Sequence, residues 1–154
     1  ETSSTNTPAY NIFIASQIFS GDNSLFMNGT KVSDLVTVMG DVHHIFPKNY
    51  LKNNGYKEKT KYNQIANYIY LDTQVNIAIS DDAPCEYFKK VFEQCNGGTV
   101  KYGNITDFTV LADNMKQNCI PSDIVNMDST EYDRFLVERR QMMAAKIENY
   151  YKSL

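Results

Sequence analysis

The pattern of hydrophobic and polar positions predicts helices near both ends of the chain, with a less regular middle. Apolar side chains recur every three or four positions in residues 84–95 and 129–151, a spacing that places them on one face of a helix. Residues 108–115 favour a shorter helix, and residues 10–19, where helix and strand signals compete, are assigned to a helix. The short apolar segment 33–39 is expected to pack beneath the central strands.

Short strand-like segments occupy the middle of the chain. The first contains His43 and His44 and ends at Pro47, which cannot donate a hydrogen bond to a sheet. A second covers residues 68–71, and a further apolar run follows at 76–79. Because side chains alternate along a strand, the adjacent imidazoles are predicted to point to opposite faces.

Polar residues mark the ends of the predicted helices. Acidic residues before Pro84 favour a helix start there, and the Asn-Gly-Gly sequence after Cys95 favours its end. Asp128 and Glu131 have the spacing of a capping box for the long C-terminal helix. The buried stripe of that helix is predicted to contain Phe135, Leu136, Met143, Ile147, Tyr150 and Leu154.

Charge is distributed unevenly along the chain. The net charge is −3 at pH 7, which does not indicate a nucleic-acid-binding protein. On the long helix, Arg134, Arg139 and Arg140 are expected on a solvated face or paired with Glu138, with DNA contact as the alternative. One segment is rich in lysine, and it either neutralises phosphates or forms a solvated loop; its lysines are Lys48, Lys52, Lys57, Lys59 and Lys61.

The composition indicates one folded domain. With 154 residues, of which 42% are hydrophobic, the chain can bury a core over residues 9–154, whereas the polar residues 1–8 are expected to form a disordered lead-in. The first residue is not Met, which favours further sequence upstream. No apolar run has membrane-spanning length, and Cys85, Cys95 and Cys119 lack a CxxC spacing, which favours reduced thiols in a cytoplasm.

Several segments of the chain resemble a nuclease motif. DVHHIFP, IANYIYLD and VNIAI are similar to the HNH (ββα-metal) motif, in which a β-hairpin carries His-His on its first arm and Asn on its return, and a metal ligand opens the following helix. The wider pattern resembles the C-terminal nuclease domain of GmrSD-type, modification-dependent restriction proteins and spans residues 22–151. Its matching pieces are GDNSLF, GDVHHIFPKNYL, YNQIAN, DDAPCEYF and FLVERRQMMAAKI.

This resemblance implies an α+β fold in which a ββα-metal (HNH or His-Me finger) hairpin-helix core, at about residues 38–95, is embedded in a mostly helical domain. The C-terminal helical part would span about residues 105–154, so that residues 9–154 form a single nuclease domain. The helix at 84–95 would be either the helix of the ββα unit or the helix directly after it.

The resemblance also implies a role for each site residue. His44 would be the general base, because a useful fraction of its imidazole is neutral near pH 7. His43 would bind a metal ion together with Asn76, and Asp41, a hard oxygen donor, would complete or replace that set. Asn67 would brace the hairpin loop and orient the base.

Two asparagines have more than one possible role. Asn63 is a weaker candidate for the orienting role of Asn67, and a turn cap is favoured for it. Asn76 stands where HNH nucleases often have His, which favours Mg²⁺ or Mn²⁺ over Zn²⁺ or Ni²⁺ and also leaves open an inactive site.

The implied function is hydrolysis of DNA by a metal-dependent endonuclease that leaves a 5′-phosphate, in the restriction of foreign or modified DNA. The implied partners are DNA and an upstream NTPase-type sensor domain, with no membrane. A non-catalytic DNA-binding or interaction module that retains the scaffold is the alternative. The residues alone do not separate DNA from RNA as the substrate.

Overall fold

The computed structural model describes residues 4–38 and 40–154, and most of them are helical. Within this part of the chain, the strands β1 (Val42–His44) and β2 (Tyr68–Tyr70) form a two-stranded antiparallel sheet. The expected α+β class is therefore confirmed. The α-helices are, in order, α1 (Pro8–Ser20), α2 (Val32–Thr37), α3 (Lys48–Asn53), α4 (Lys59–Tyr62), α5 (Thr73–Ile79), α6 (Pro84–Cys95), α7 (Phe108–Gln117) and α8 (Tyr132–Lys152). Single turns of 3₁₀ helix occur at Ile65–Asn67, Ile124–Asn126 and Ser129–Glu131.

Strand pairing brings the histidine segment beside the second predicted strand. His43 lies opposite Ile69 and His44 lies opposite Tyr68. The connection between the strands contains α3, α4 and a 3₁₀ turn. Helix α5 follows β2 directly, and Asp72 is its N-cap because its side chain accepts the N–H of Gln74 (2.9 Å). The first helix after β2 is thus α5, and α6 (Pro84–Cys95) is the second.

The helix starts near the N-terminus follow local signals. α1 begins at Pro8, and Thr7 is its N-cap, with its side chain accepting a hydrogen bond from an amide of the first turn. Pro8 therefore belongs to the helix rather than to the expected lead-in, of which residues 1–3 lie outside the described residues. The apolar segment 33–39 corresponds largely to α2, which contacts β2, and Met39 also lies outside the described residues.

The segment after His44 is anchored in the core. Ile45 and Phe46 are buried, and the Phe46 ring lies 5.1 Å from the ring of Tyr132 and 4.8 Å from that of Phe135, measured between centroids. The buried hydroxyl of Tyr87 donates a hydrogen bond to the carbonyl of Ile45 (2.6 Å). Helices α6 and α8 therefore hold the backbone that leaves β1.

The start of α8 differs from the prediction. Asp128 accepts the N–H of Thr130 (2.8 Å) and thereby caps a 3₁₀ turn, so that the α-helix begins only at Tyr132. The predicted capping box was wrong, because the carboxylate of Glu131 binds Arg134 (2.7 Å) instead of the backbone. The α6 bounds were predicted correctly, and α7 runs slightly longer than predicted.

The buried stripe of α8 was predicted correctly over its first half. Ile147 and Tyr150 are only partly buried, and Leu154 is 76% exposed beyond the end of the helix, so its assignment to the core was wrong. The predicted members that are buried are Phe135, Leu136 and Met143. The C-terminal turns of α8 thus extend past the core.

Arg139 was expected on the solvated face of α8, and this prediction was wrong. Its guanidinium is buried and donates hydrogen bonds to the carbonyls of Ala66 (2.9 Å), Tyr68 (2.7 Å) and Asn118 (3.2 Å). No carboxylate pairs with it among the described residues. Burial lowers the pKa of Arg139 to about 10, which still leaves the group charged at neutral pH.

The other two arginines of α8 lie outside the core. Arg134 is exposed and pairs with Glu131, Asp123 and Glu138, as expected for a solvated face. Arg140 donates a hydrogen bond to Gln64 (2.8 Å). No helix in the described ranges combines the length and the apolar character needed to span a membrane.

Replacing Arg139 by Met should destabilise the fold far more than the matched change at Arg134. Met removes the donors of three buried carbonyls, and we expect a loss of about 3 kcal/mol in the free energy of unfolding. Arg134→Met removes only exposed ion pairs and should unfold close to the wild type. Urea titration followed by circular dichroism measures both. Equal midpoints for the two variants would contradict this account of Arg139.

Candidate functional site

The two histidines and Asn76 line one pocket. β1 supplies His43 and His44, α5 supplies Asn76, and Lys48 enters from the first turn of α3. The cavity has a volume of about 460 Å³, and its wall consists of Val42, His43, His44, Pro47, Lys48, Asn76, Ile77, Ser80 and Asp81. His43 and Asn76, which lie 33 positions apart in the chain, are thus brought together in one pocket wall.

Alternation along β1 predicted that the two imidazoles point to opposite faces. Both nevertheless contribute to the wall of the same pocket. The strand ends at His44, and a pocket at the end of a strand can collect side chains from both of its faces. A ligand in this pocket would therefore contact both rings.

His44 is held by one polar and two aromatic neighbours. Its Nε2 lies 2.9 Å from the Oδ1 of Asn63, and its ring meets those of Tyr68 and Tyr62 edge to face, at centroid distances of 5.4 and 6.3 Å. Burial lowers the pKa of His44, the hydrogen bond with Asn63 opposes this shift, and Lys48 adds to it. The ring is therefore neutral at pH 7, the form that accepts a proton.

His43 is also neutral at pH 7. Burial lowers its pKa, and the nearby carboxylate of Asp41 offsets only part of that effect. A neutral imidazole is the form that binds a metal ion. Asp41 itself is exposed and is not part of the pocket wall, so its direct coordination stays a prediction.

Asn67 braces the loop between the strands. Its side chain is fully buried, and its Oδ1 accepts the N–H of Phe46 (2.8 Å). Its Nδ2 donates to the carbonyls of Phe46 (3.1 Å) and Tyr62 (3.1 Å). These bonds agree with the expected bracing of the loop, whereas the side chain that contacts His44 is that of Asn63.

Asn63 was the weaker candidate for orienting the base, and the turn cap favoured for it missed its contact with His44. It follows the last residue of α4, a helix of only four residues that no periodic pattern reveals. Asp81 was missed as well: it lines the pocket and accepts a hydrogen bond from Asn49 (3.3 Å). The sequence contained one signal for Asp81, an acid that closely follows the helix carrying Asn76.

The lysine-rich segment divides into two parts. Lys48 and Lys52 lie one turn apart on α3, and each Nζ is 5.5 Å from the ring centroid of the buried Tyr62, which borders His44. The other three lysines are exposed and do not line the pocket; they are Lys57, Lys59 and Lys61. The structure therefore places Lys48 in the pocket wall and Lys52 beside Tyr62, the ring that borders His44.

The donor set limits which metal the pocket fits. No group of three or more His, Cys, Asp or Glu side chains among residues 4–38 and 40–154 is arranged to hold a metal ion. His43 and Asn76 offer one imidazole and one amide oxygen in a shared pocket. Two such groups are too few for a closed four-ligand zinc site, and an ion held by them would keep water ligands.

A larger cavity lies elsewhere in the molecule. It has a volume of about 730 Å³, and its wall, which includes Phe92, Phe108, Leu111, Met115 and Met142, comes from α6, α7, α8 and neighbouring loops. Its lining is mainly apolar and contains no histidine. The smaller pocket beside β1 therefore carries the candidate chemistry.

Comparison of the chain with protein-family models, with curated protein sequences and with solved structures gave no match. The assignment of chemistry to this pocket accordingly rests on its own residues and on the motif segments DVHHIFP, IANYIYLD and VNIAI.

Replacing Asn67 by Ala should loosen the loop that carries the site. The change leaves the N–H and the carbonyl of Phe46 without partners in the interior, and we expect a loss of roughly 2–4 kcal/mol in stability. The amide proton of Phe46 should also exchange faster with solvent. Asn54→Ala, which removes an exposed amide bonded to the Tyr50 carbonyl, is the control. Unchanged exchange at Phe46 in Asn67→Ala would disprove the bracing role.

Proposed function

We propose that this chain is an HNH-type, metal-dependent endonuclease domain that hydrolyses phosphodiester bonds in DNA. The observation that supports the proposal most strongly is the shared pocket of His43, His44, Asn76 and Lys48. It combines a neutral base, metal-binding groups and a cation for the phosphate, which are the parts that this hydrolysis requires.

His44 acts as the general base in this proposal. Its neutral ring takes a proton from a water molecule as the water oxygen bonds to phosphorus, and the bond from phosphorus to the 3′ oxygen breaks, after which the 3′ oxygen takes a proton from solvent. The products carry a 5′-phosphate and a 3′-hydroxyl. His44 is suited to this role because it lines the pocket while its neighbours fix the ring.

His43 and Asn76 would hold a divalent ion, with Mg²⁺ or Mn²⁺ favoured over Ni²⁺ or Zn²⁺. The ion, when bound, would neutralise the charge that develops on the phosphate. Lys48 supplies a further positive charge at the same pocket, and Lys52 extends it along α3. Asp41 and Asp81 are the nearest candidates for an additional oxygen ligand.

The proposal includes a biological setting that rests on the resemblance. It comprises restriction of foreign or modified DNA, an upstream NTPase-type sensor domain in the full protein and a cytoplasmic location. The cysteines are unpaired in the structure, which is compatible with a reducing compartment.

A second candidate function is a DNA-binding or interaction module without catalysis. The net charge of −3 and the lack of a three-residue metal cluster in the described part of the chain favour it. This candidate predicts salt-dependent DNA binding with no metal-dependent cleavage. Binding and cleavage assays on the same preparation therefore separate the two functions.

Supercoiled plasmid should be nicked by the wild-type chain with Mg²⁺ or Mn²⁺ and left intact with EDTA. His44→Ala should reduce the rate by about 100-fold or more, because a general base contributes that much. Asn76→Ala should raise the metal concentration needed for half-maximal cleavage, whereas Asn96→Ala, an exposed amide after α6, should not. Cleavage by His44→Ala at the wild-type rate would refute the proposed mechanism.

The lysines should contribute unequally to DNA binding. We expect the double variant Lys48→Ala/Lys52→Ala to lower the slope of log affinity against log salt by roughly one per lysine, because each would neutralise a phosphate. The control Lys89→Ala/Lys116→Ala removes exposed lysines of α6 and α7 and should leave the slope unchanged. Fluorescence anisotropy with a labelled duplex measures it. The same slope in both double variants would rule out a specific phosphate contact at α3.

A further inference from the structure

We propose that Asn63 is a positioning residue that fixes the tautomer of His44 and assigns the role of base to the Nδ1 atom of its ring. The catalytic part of this inference rests on the proposed nuclease function, and the tautomer does not. Asn63 was the weaker candidate for this role on sequence grounds, and its contact with His44 is the observation that favours it over Asn67.

The contact itself determines which ring nitrogen carries the proton. The Oδ1 of Asn63 lies 2.9 Å from the Nε2 of His44, and an amide oxygen can only accept a hydrogen bond. The Nε2 atom must therefore carry a hydrogen. A neutral imidazole has a single N–H, so the lone pair available to a substrate water belongs to Nδ1.

Asn63 is held in place from several sides. Its N–H bonds to the carbonyl of Lys59 at the end of α4 (2.9 Å). The preceding residue, Tyr62, is buried and its carbonyl accepts the Nδ2 of Asn67 (3.1 Å). The carbonyl of Lys61 accepts the hydroxyl of Tyr132 from α8 (2.9 Å). The amide that meets His44 is thus attached to backbone fixed by the core.

The side chain of Asn67 contacts the loop rather than His44. Both hydrogens of its amide are used by the carbonyls of Phe46 and Tyr62, and its oxygen accepts the N–H of Phe46. The two functions expected of one asparagine are therefore divided in this chain. Asn67 braces the loop, and Asn63 orients the base.

This arrangement also favours the proton transfer. When Nδ1 takes a proton from water, the ring becomes a cation with hydrogens on both nitrogens. The bond from Nε2–H to the Asn63 oxygen then becomes charge-assisted and stronger. Asn63 would thus stabilise the protonated ring without touching the substrate.

The test uses nitrogen NMR of the two imidazoles, the only ones in the chain, at alkaline pH, where both are neutral. His44→Ala assigns the two sets of ring signals. The wild type should show His44 as the Nε2–H tautomer. Asn63→Leu, which has the same branching at Cγ and no acceptor, should give a mixture of tautomers, and Asn63→Asp, which keeps the acceptor, should retain the Nε2–H form.

Cleavage of plasmid DNA should follow the same order. We expect Asn63→Leu to lose roughly 10–100-fold in rate, as for other residues that orient a functional imidazole, and Asn63→Asp to recover most of it. A merely structural role would lower the stability of both variants without changing the tautomer. Circular dichroism of each variant monitors the fold.

Two results would overturn the inference: a wild-type His44 with its proton on Nδ1, or an Asn63→Leu variant that keeps both the Nε2–H tautomer and the wild-type rate. The wild-type spectrum decides the first even if every variant fails to fold. Failure of the proposed function gives a different result, namely DNA left intact by the wild type, while the ring signals still report whether Asn63 fixes the tautomer.

Discussion

The guanidinium of Arg139 reaches from α8 into the interior and donates to the carbonyls of Ala66 and Tyr68, the residues on either side of Asn67. A buried cation without a carboxylate partner costs several kcal/mol in lost hydration, and among the described residues backbone carbonyls and the face of the Phe13 ring offset that cost. A loop path that moved the carbonyls of Ala66 and Tyr68 away would leave the charge with only the Asn118 carbonyl among those acceptors. The long helix therefore fixes the backbone at Asn67.

Asn67 in turn fixes the backbone of the two residues that follow the histidines. Its amide binds both backbone polar groups of Phe46, and its carbonyl accepts the N–H of Ile45 (2.9 Å). The Tyr87 hydroxyl donates a hydrogen bond to the Ile45 carbonyl. Every backbone group of the two residues after His44 is thus paired in the interior, and an alternative loop path would leave some of them unpaired. His44 is presented to the pocket by a rigid segment.

Sequence reasoning succeeded where the information was local. The strand containing His43 and the bounds of α6 could be predicted from apolar side chains and from Pro and Gly residues a few positions away. It failed at Arg139, because a charged residue on a helix is normally solvated, and the carbonyls that satisfy it come from distant loops that only the folded chain brings together. It also favoured a turn cap for Asn63, whose partner His44 lies 19 residues away across α3 and α4. The periodicity of apolar residues gives no information on polar contacts between residues that are distant in the sequence.

The core and the pocket meet at the peptide bond between His44 and Ile45. Both imidazoles lie on the pocket side of this bond, which favours a functional over a structural role for them. His43 and His44 are partly exposed, whereas Ile45 and Phe46 are 1% and 0% exposed. A histidine pair that served only the core would be expected on the buried side of this boundary, with both rings bonded to protein groups. Here one ring nitrogen of His44 is hydrogen-bonded to Asn63, and the ring also lines a polar pocket. The apolar pair anchors the segment in the core, and the histidine pair lies in the wall of the pocket, where burial lowers the pKa of both rings and favours their neutral form.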